Sequence, residues 1–197
     1  MSNINGKPVA RAADNGFVFD MRSLSRQPGS YRDETRTATA PEGIRAGLAE
    51  VPQGAQVALD LRFEAVSEGV LVTGSALVPL GGECSRCLDP LTSKLEVGIQ
   101  ELYRYLPEPG VDDEDGEERF LDGERLDLEP AFRDVVVLAL PLSPLCRDDC
   151  PGLCPDCGVR LADAGPDHGH GDNLDPRWGT LRQLDVSDNR VEDRQES

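Results

Sequence analysis

The six cysteines and two histidines of this 197-residue chain are the side chains most able to carry chemistry. They form four pairs: the first pair is Cys84 and Cys87, the second Cys146 and Cys150, the third Cys154 and Cys157, and the histidine pair His168 and His170. Thiolates at Cys-x-x-Cys spacing converge on one tetrahedral metal ion. Gly158, directly after the third pair, permits the positive φ of a tight loop around such an ion. Eight donors are enough for two zinc sites of four ligands each.

The donors can be divided between metal ions in two ways. In the first division, the first and second pairs share one ion, and the third pair and the histidine pair form a local Cys2His2 site. In the second division, the first and third pairs share a single ion, and the second pair and the histidine pair are free. We favour the first division. The spacing rule allows both arrangements, so the sequence predicts one or two Zn2+ ions.

Other uses of the cysteines are less favoured by their surroundings. A thioredoxin-like pair needs a helix N-terminus that lowers a thiol pKa, and the second cysteine cluster has too many prolines for a long helix. An open catalytic zinc site needs a water and a nearby base. Glu83 and Asp89 are near in sequence, but nothing directs them toward the cysteines. We therefore predict no catalytic residues, no small-molecule substrate and no enzyme activity.

Three predicted strands must position the first pair. Apolar and polar residues alternate over 57–63, which is typical of a strand with one buried face. A second strand is predicted over 70–78, with Gly74 as a possible bulge, and a third from Leu95 toward Tyr103. Their short connections predict an antiparallel meander, and its far loop carries the first pair.

One main helix is predicted to follow and to cover the meander. Asp127 is a suitable N-cap, and the apolar positions from Leu128 to Ala139 recur at spacings of three and four. Pro141 ends this helix, and a second, shorter helix is predicted from Asp175. Residues 41–55 are expected to form a loop or a short helix. The predicted fold class is α+β, an antiparallel β-meander packed on one main helix, with zinc-knuckle loops.

Charge defines the remaining segments. The chain has 20 Lys and Arg against 37 Asp and Glu, a net charge of −17, and seven of the acids lie between Glu108 and Glu118. Dense like charge favours solvated, disordered chain. We expect a flexible N-terminus (1–15), a single domain (16–184) containing a disordered acidic loop (107–119), and a disordered acidic tail (185–197). Without a membrane-length apolar run or a secretory signal, a cytoplasmic location is expected.

Four stretches of the sequence carry a family resemblance. In chain order they are Cys84-Ser-Arg-Cys87-Leu, Leu138-Ala-Leu-Pro141, the block 145–158 with its Leu-Cys-Pro-Asp-Cys-Gly core, and Asp175-Pro-Arg-Trp178. Together they resemble the YceD family of large ribosomal RNA subunit accumulation proteins, over roughly residues 16–184. The resemblance implies a non-enzymatic bacterial or plastid factor that supports 23S ribosomal RNA accumulation. Many relatives have Cys-x-Cys where this chain has the histidine pair. The replacement keeps two zinc donors in this chain.

The charge of the chain bears on the partner that this resemblance implies. RNA affinity comes from Lys and Arg that neutralise phosphates, so a net charge of −17 disfavours direct contact with 23S rRNA. One local basic patch exists over 22–36. We therefore expect binding to a basic ribosomal protein or a large-subunit assembly factor, and no membrane partner. A zinc-stabilised interaction module of another pathway, or a thiol redox enzyme, is the alternative.

Overall fold

The structure, a computed structural model, describes residues 15–105, residues 118–170 and Arg177. It divides the chain into two units, the first ending at Gly152 and the second beginning at Leu153. Residues 1–14, most of the predicted acidic loop, the helix predicted from Asp175 and the acidic tail lie outside the described residues. The single domain over 16–184 stays a prediction.

The described part of the first unit contains nine strands and one helix. In chain order they are β1 (Val18–Asp20), β2 (Tyr31–Thr39), β3 (Arg45–Ala46), β4 (Ala49–Glu50), β5 (Gln56–Ala65), β6 (Gly69–Glu83), β7 (Pro90–Arg104), β8 (Arg119–Phe120), β9 (Arg125–Asp127) and α1 (Glu129–Ala139). All pairs in the main sheet are antiparallel except the short pairing of β7 with β8. The α+β class is therefore confirmed. No helix among these residues is long and apolar enough to cross a membrane.

The alternating residues of β5 form the strand that the sequence predicts. Val57, Leu59, Leu61 and Phe63 are each at most 2% exposed, whereas the residues between them face outward. Each such side chain contributes about 1.5–3 kcal/mol when it is fully removed from water. One face of the sheet therefore supplies most of the core.

A long hairpin of β6 and β7 places the first cysteine pair. The two strands stay in register from the pairing of Gly69 with Arg104 to that of Glu83 with Pro90. Residues 84–89 connect them, so the first pair lies in the loop at the far end of the hairpin. The predicted second and third strands are confirmed, and both are longer than the apolar pattern indicates.

Gly74 is not a bulge, contrary to the prediction. Its pairing continues without interruption to Leu61 on one side and Ile99 on the other. Its φ is 154°, and a Cβ at this position would lie 2.1 Å from the carbonyl oxygen of Asp60. A glycine is needed here because the neighbouring strand passes too close for any side chain.

Two parts of the sheet differ from the expectations. Residues 31–39 form β2, which pairs with β5 along its whole length, although the sequence shows no apolar alternation there. Residues 41–55 contain the paired strands β3 and β4, not a helix, and β4 joins β6 through the pairing of Ala49 with Gly82. The sheet therefore has more strands beside β5 and β6 than the sequence predicts.

The predicted main helix is present, with its cap shifted by one residue. The N-cap is Leu128, which makes no side-chain capping bond, so the prediction of Asp127 as N-cap is wrong. Asp127 still accepts a hydrogen bond from the backbone N–H of Glu129 at 3.0 Å. Phe132 is fully buried, its ring centroid lies 4.6 Å from that of Phe17, and α1 contacts β7.

Candidate metal centres

The loop at the end of the long hairpin turns its backbone N–H groups toward Cys84. The loop closes through two backbone bonds, from Cys84 N–H to the Asp89 carbonyl (2.8 Å) and from Leu88 N–H to the Cys84 carbonyl (2.9 Å). Leu88 has a φ of 59°, in the left-handed region. Hydrogen bonds from the N–H groups of Cys87, Cys146 and Arg86 lower the pKa of the Cys84 thiol to about 6, although burial opposes the shift. This environment stabilises a thiolate.

The chain that follows α1 is fastened to this loop by two contacts. Ser85 N–H donates to the carbonyl oxygen of Pro144 at 2.8 Å. The Arg86 guanidinium donates to the carbonyl oxygens of Cys150 at 2.9 Å and Asp148 at 3.4 Å. These bonds bring the second cysteine pair beside the first, across more than fifty residues of intervening chain.

The first and second pairs form one compact group of sulfurs, which we call the first group. The Sγ atoms of Cys84 and Cys150 are 3.8 Å apart, and those of Cys87 and Cys146 are 3.7 Å apart. All four lie within 4.8 Å of one another, and none forms a disulfide. Sulfurs held about 2.3 Å from a tetrahedral zinc lie about 3.8 Å apart. The spacing of the first group therefore fits one such ion.

The four cysteines of the first group differ in burial. Cys84, Cys87 and Cys150 are at most 8% exposed, whereas Cys146 is exposed. Burial raises the pKa of Cys87 to about 12, and contacts with the other sulfurs act in the same direction. Four thiols this close cannot all ionise without a cation among them, because their negative charges repel. All four can therefore be thiolates at the same time only around a cation such as a metal ion.

The second unit repeats the same loop on the third pair. Cys154 N–H donates to the Val159 carbonyl at 2.8 Å, and Gly158 N–H donates to the Cys154 carbonyl at 2.9 Å. Gly158 has a φ of 71° and takes the place that Leu88 has in the first loop. The positive φ that the sequence predicts at Gly158 is confirmed.

The histidine pair returns to this loop and completes what we call the second group. His170 Nε2 lies 3.1 Å and His168 Nε2 lies 3.7 Å from the Sγ atom of Cys157. The donor atoms of the third pair and the histidine pair all lie within 4.8 Å of one another. A hydrogen bond from His168, with the N–H groups of Cys157 and Asp156, lowers the pKa of Cys154 to about 6. Only Cys154 is buried.

The structure thus places all eight predicted donors in two groups of four. The grouping is that of the first division considered from the sequence, and metal binding by the groups stays a prediction. The supporting roles of Arg86 and Leu88 in the first loop were not predicted from the sequence. The signal for Leu88 was available, since it stands one residue after a Cys-x-x-Cys pair, as Gly158 does.

Arg86 should be important to the first group without being a ligand. We expect Arg86→Ala to lower the free energy of unfolding of metal-loaded protein by about 1–2 kcal/mol, because two carbonyls lose a charged donor. Denaturant unfolding would measure it. Arg147→Ala is the matched control, since Arg147 forms an exposed ion pair with Asp149 and should contribute less than about 1 kcal/mol. Equal effects of the two substitutions would contradict the role of Arg86.

Gly158 should stabilise the loop of the second group relative to any other residue at this position. Alanine in the left-handed region costs about 1–2 kcal/mol, so Gly158→Ala should weaken metal binding by the second group about tenfold. Competition with a chromophoric chelator would give the affinity. Gly165→Ala is the control, because a Cβ there meets nothing within 4 Å and should leave the affinity unchanged.

The fold and the site define a class of small β-rich proteins in which paired cysteine loops bring distant donors together. The chain belongs to the family of the large ribosomal RNA subunit accumulation protein YceD, whose family model matches residues 72–185. The resemblance found in the sequence is therefore confirmed.

Two mycobacterial relatives are similar over most of the chain. Uncharacterized protein Rv2926c of Mycobacterium tuberculosis is 43% identical over 187 residues, covering 93% of this chain and 88% of the relative. Uncharacterized protein ML1660 of Mycobacterium leprae is 38% identical over 186 residues, covering 93% of this chain and 84% of the relative. No solved structure matches the chain.

Proposed function

We propose that this protein is a non-enzymatic zinc-binding factor that supports 23S rRNA accumulation during assembly of the large ribosomal subunit. The observation that carries the proposal is a pair of closed four-donor groups in a member of the YceD family. In this proposal each group holds one Zn2+. The ligands are Cys84, Cys87, Cys146 and Cys150 in the first group and Cys154, Cys157, His168 and His170 in the second.

A structural role for the metal follows from the ligand sets. Four protein donors leave no open coordination position for a substrate or a reactive water. The free energy of metal binding then becomes folding free energy, because the unfolded chain does not bring the donors together. The first group would fasten the segment after α1 to the long hairpin.

Thiol redox chemistry is the less favoured alternative. A pKa of about 6 at Cys84 and Cys154 is also typical of redox-active thiols. However, Cys84 is 0% exposed and Cys154 only 6%, so these two residues present little surface to an incoming disulfide. The same N–H bonds support a metal-bound thiolate equally well.

A basic protein is the favoured partner, and 23S rRNA itself is disfavoured. The four arginines of the basic patch all have partners within the chain: Arg22 with Asp20, Arg26 with the Tyr105 ring, and Arg32 and Arg36 with Glu34. Asp20 and Glu34 offset part of the positive charge of the patch, and the net charge of −17 repels phosphate. A ribosomal protein or an assembly factor with a basic surface would instead be attracted by this negative charge.

The acidic loop 108–118 is proposed to mask a basic partner before it meets RNA. Deletion of this loop should reduce the amount of large-subunit proteins that the immobilised protein retains at low salt, because seven carboxylates are lost. Equal retention by the loop-deleted and intact proteins would refute this part of the proposal.

Deletion of the gene tests the function as a whole. The ratio of 23S to 16S rRNA should fall in the deletion strain and recover with a copy of the intact gene. A Cys84→Ser copy should restore the ratio less well at the same protein level. An unchanged ratio in the deletion strain would instead favour an interaction module of another pathway.

A further inference from the structure

An exposed apolar strip lies where α1 ends. Leu138 is 86% exposed and Leu142 is 80% exposed, while Leu140 between them is buried. Val137 and Ala139 are also exposed. Single exposed leucines are ordinary on protein surfaces, but two highly exposed leucines four positions apart, the second within a groove-lining segment, are typical of an interaction site.

A groove of about 430 Å³ is lined in part by the segment that follows α1, and we call it the helix-end groove. Its apolar lining comes from two places, the sheet and the segment after α1: Ala49, Leu80, Leu91, Pro141, Pro144 and Leu145. Leu142 lies between two lining residues, Pro141 and Ser143. The bond from Ser85 N–H to the Pro144 carbonyl fixes this wall against the hairpin.

The charge of the groove limits what can occupy it. The described residues that line it include one carboxylate, Asp148, and one proposed zinc ligand, Cys146, and none of them is a cation, so the groove offers no cation to a phosphate. A second copy of the chain would bring another net charge of −17. Both RNA and self-association are therefore opposed by repulsion.

We infer that the helix-end groove and the strip of Leu138 and Leu142 form a docking surface for a basic protein segment with apolar anchors. The inference rests on the proposed function and deepens it by locating the partner's binding site. Apolar side chains of the segment would fill the groove, and its Lys and Arg would be attracted by Asp148 and by the net negative charge of the chain. Burial of the two exposed leucines would favour binding, and the attraction between the negative chain and a basic segment would speed association.

The test uses the full-length, metal-loaded protein and proteins extracted from purified large ribosomal subunits. Immobilised protein should retain basic ribosomal proteins, which mass spectrometry identifies, and the purified retained protein then serves as the titrant. The double variant Leu138→Asn with Leu142→Asn should raise the Kd about tenfold or more. Because both side chains already face water, its metal content and its Tm should match those of the intact protein. Tyr31→Asn is the matched control, since Tyr31 is 61% exposed on β2 and away from the groove.

Each outcome has a separate meaning. An unchanged Kd for the double variant would overturn the docking surface and leave the proposed function standing. Retention of no ribosomal protein by the intact chain would overturn the proposed partner and this inference together. If the intact protein bound 23S rRNA and the double variant did not, the groove would be an RNA site. If light scattering showed a dimer that only the double variant lost, the groove would bind a second copy of the chain. Either result would refute the inference.

Discussion

Protein purified in reduced form without a histidine tag is expected to carry two zinc ions per chain, and Cys84→Ser and Cys154→Ser one each. The donors of each group lie within 4.8 Å of one another, so loss of a thiolate from one group leaves the other group complete. Elemental analysis per mole of chain measures the result directly. The first group should matter more for stability, because it joins segments 59 positions apart, whereas the second group is local.

Ser85→Ala is the matched control for the metal measurement. It alters the residue next to Cys84 without removing a donor, and it should keep both ions. A single ion in the intact protein that is absent from both cysteine variants would mean that the first and third pairs share one site. Absence of metal from reduced protein that has met no chelator would refute the zinc proposal and return attention to thiol chemistry.

Replacement of Gly74 by alanine is expected to destabilise the fold severely. A Cβ at this position would lie 2.1 Å from the Asp60 carbonyl oxygen, in the middle of the pairing between β5 and β6. The backbone of one strand must move to admit it, and we expect a loss of about 3 kcal/mol or more in the free energy of unfolding. That is a large share of the 5–15 kcal/mol or so that holds a typical domain folded. Denaturant unfolding or the yield of folded protein would show it.

Gly98 provides the comparison on the adjacent strand β7. A Cβ there meets nothing within 4 Å, so Gly98→Ala should be neutral or should raise the stability by up to about 1 kcal/mol. A Gly74→Ala protein as stable as the Gly98→Ala protein would mean that the strands tolerate the approach, and the explanation given for Gly74 would be wrong.

The sheet could be predicted from the sequence where apolar side chains alternate, and not elsewhere. Residues 57–63 reveal β5 because one face is buried in the core. The strand β2 gives no such signal, because its half-buried positions carry Arg32, Glu34 and Arg36. Arg36 lies 4.3 Å from the centroid of the Phe19 ring and pairs with Glu34 at 2.5 Å. Aromatic rings and paired charges thus replace the apolar face, which a hydropathy pattern cannot detect.

The donors of the candidate site were predictable from the sequence, whereas their spacing alone did not decide between the two divisions. The Cys-x-x-Cys spacing identifies donors because the loop geometry around them is local. Which pairs meet depends on distant elements: the register of the long hairpin places the first pair, and the contacts of Ser85 and Arg86 place the second. Arg86 itself looks like an ordinary exposed arginine in the sequence.

The 59 positions between Cys87 and Cys146 also have a consequence for the newly made chain. A ribosome adds about 5–20 residues per second, so the first pair leaves it about 3–12 seconds before its partners exist. During that time the two thiols have no second pair with which to share an ion and must stay reduced. The donors of the second group, all between 154 and 170, emerge almost together. Synthesis therefore completes the two groups in unequal ways, with the thiols of the half-made first group exposed to any metal or oxidant near the ribosome.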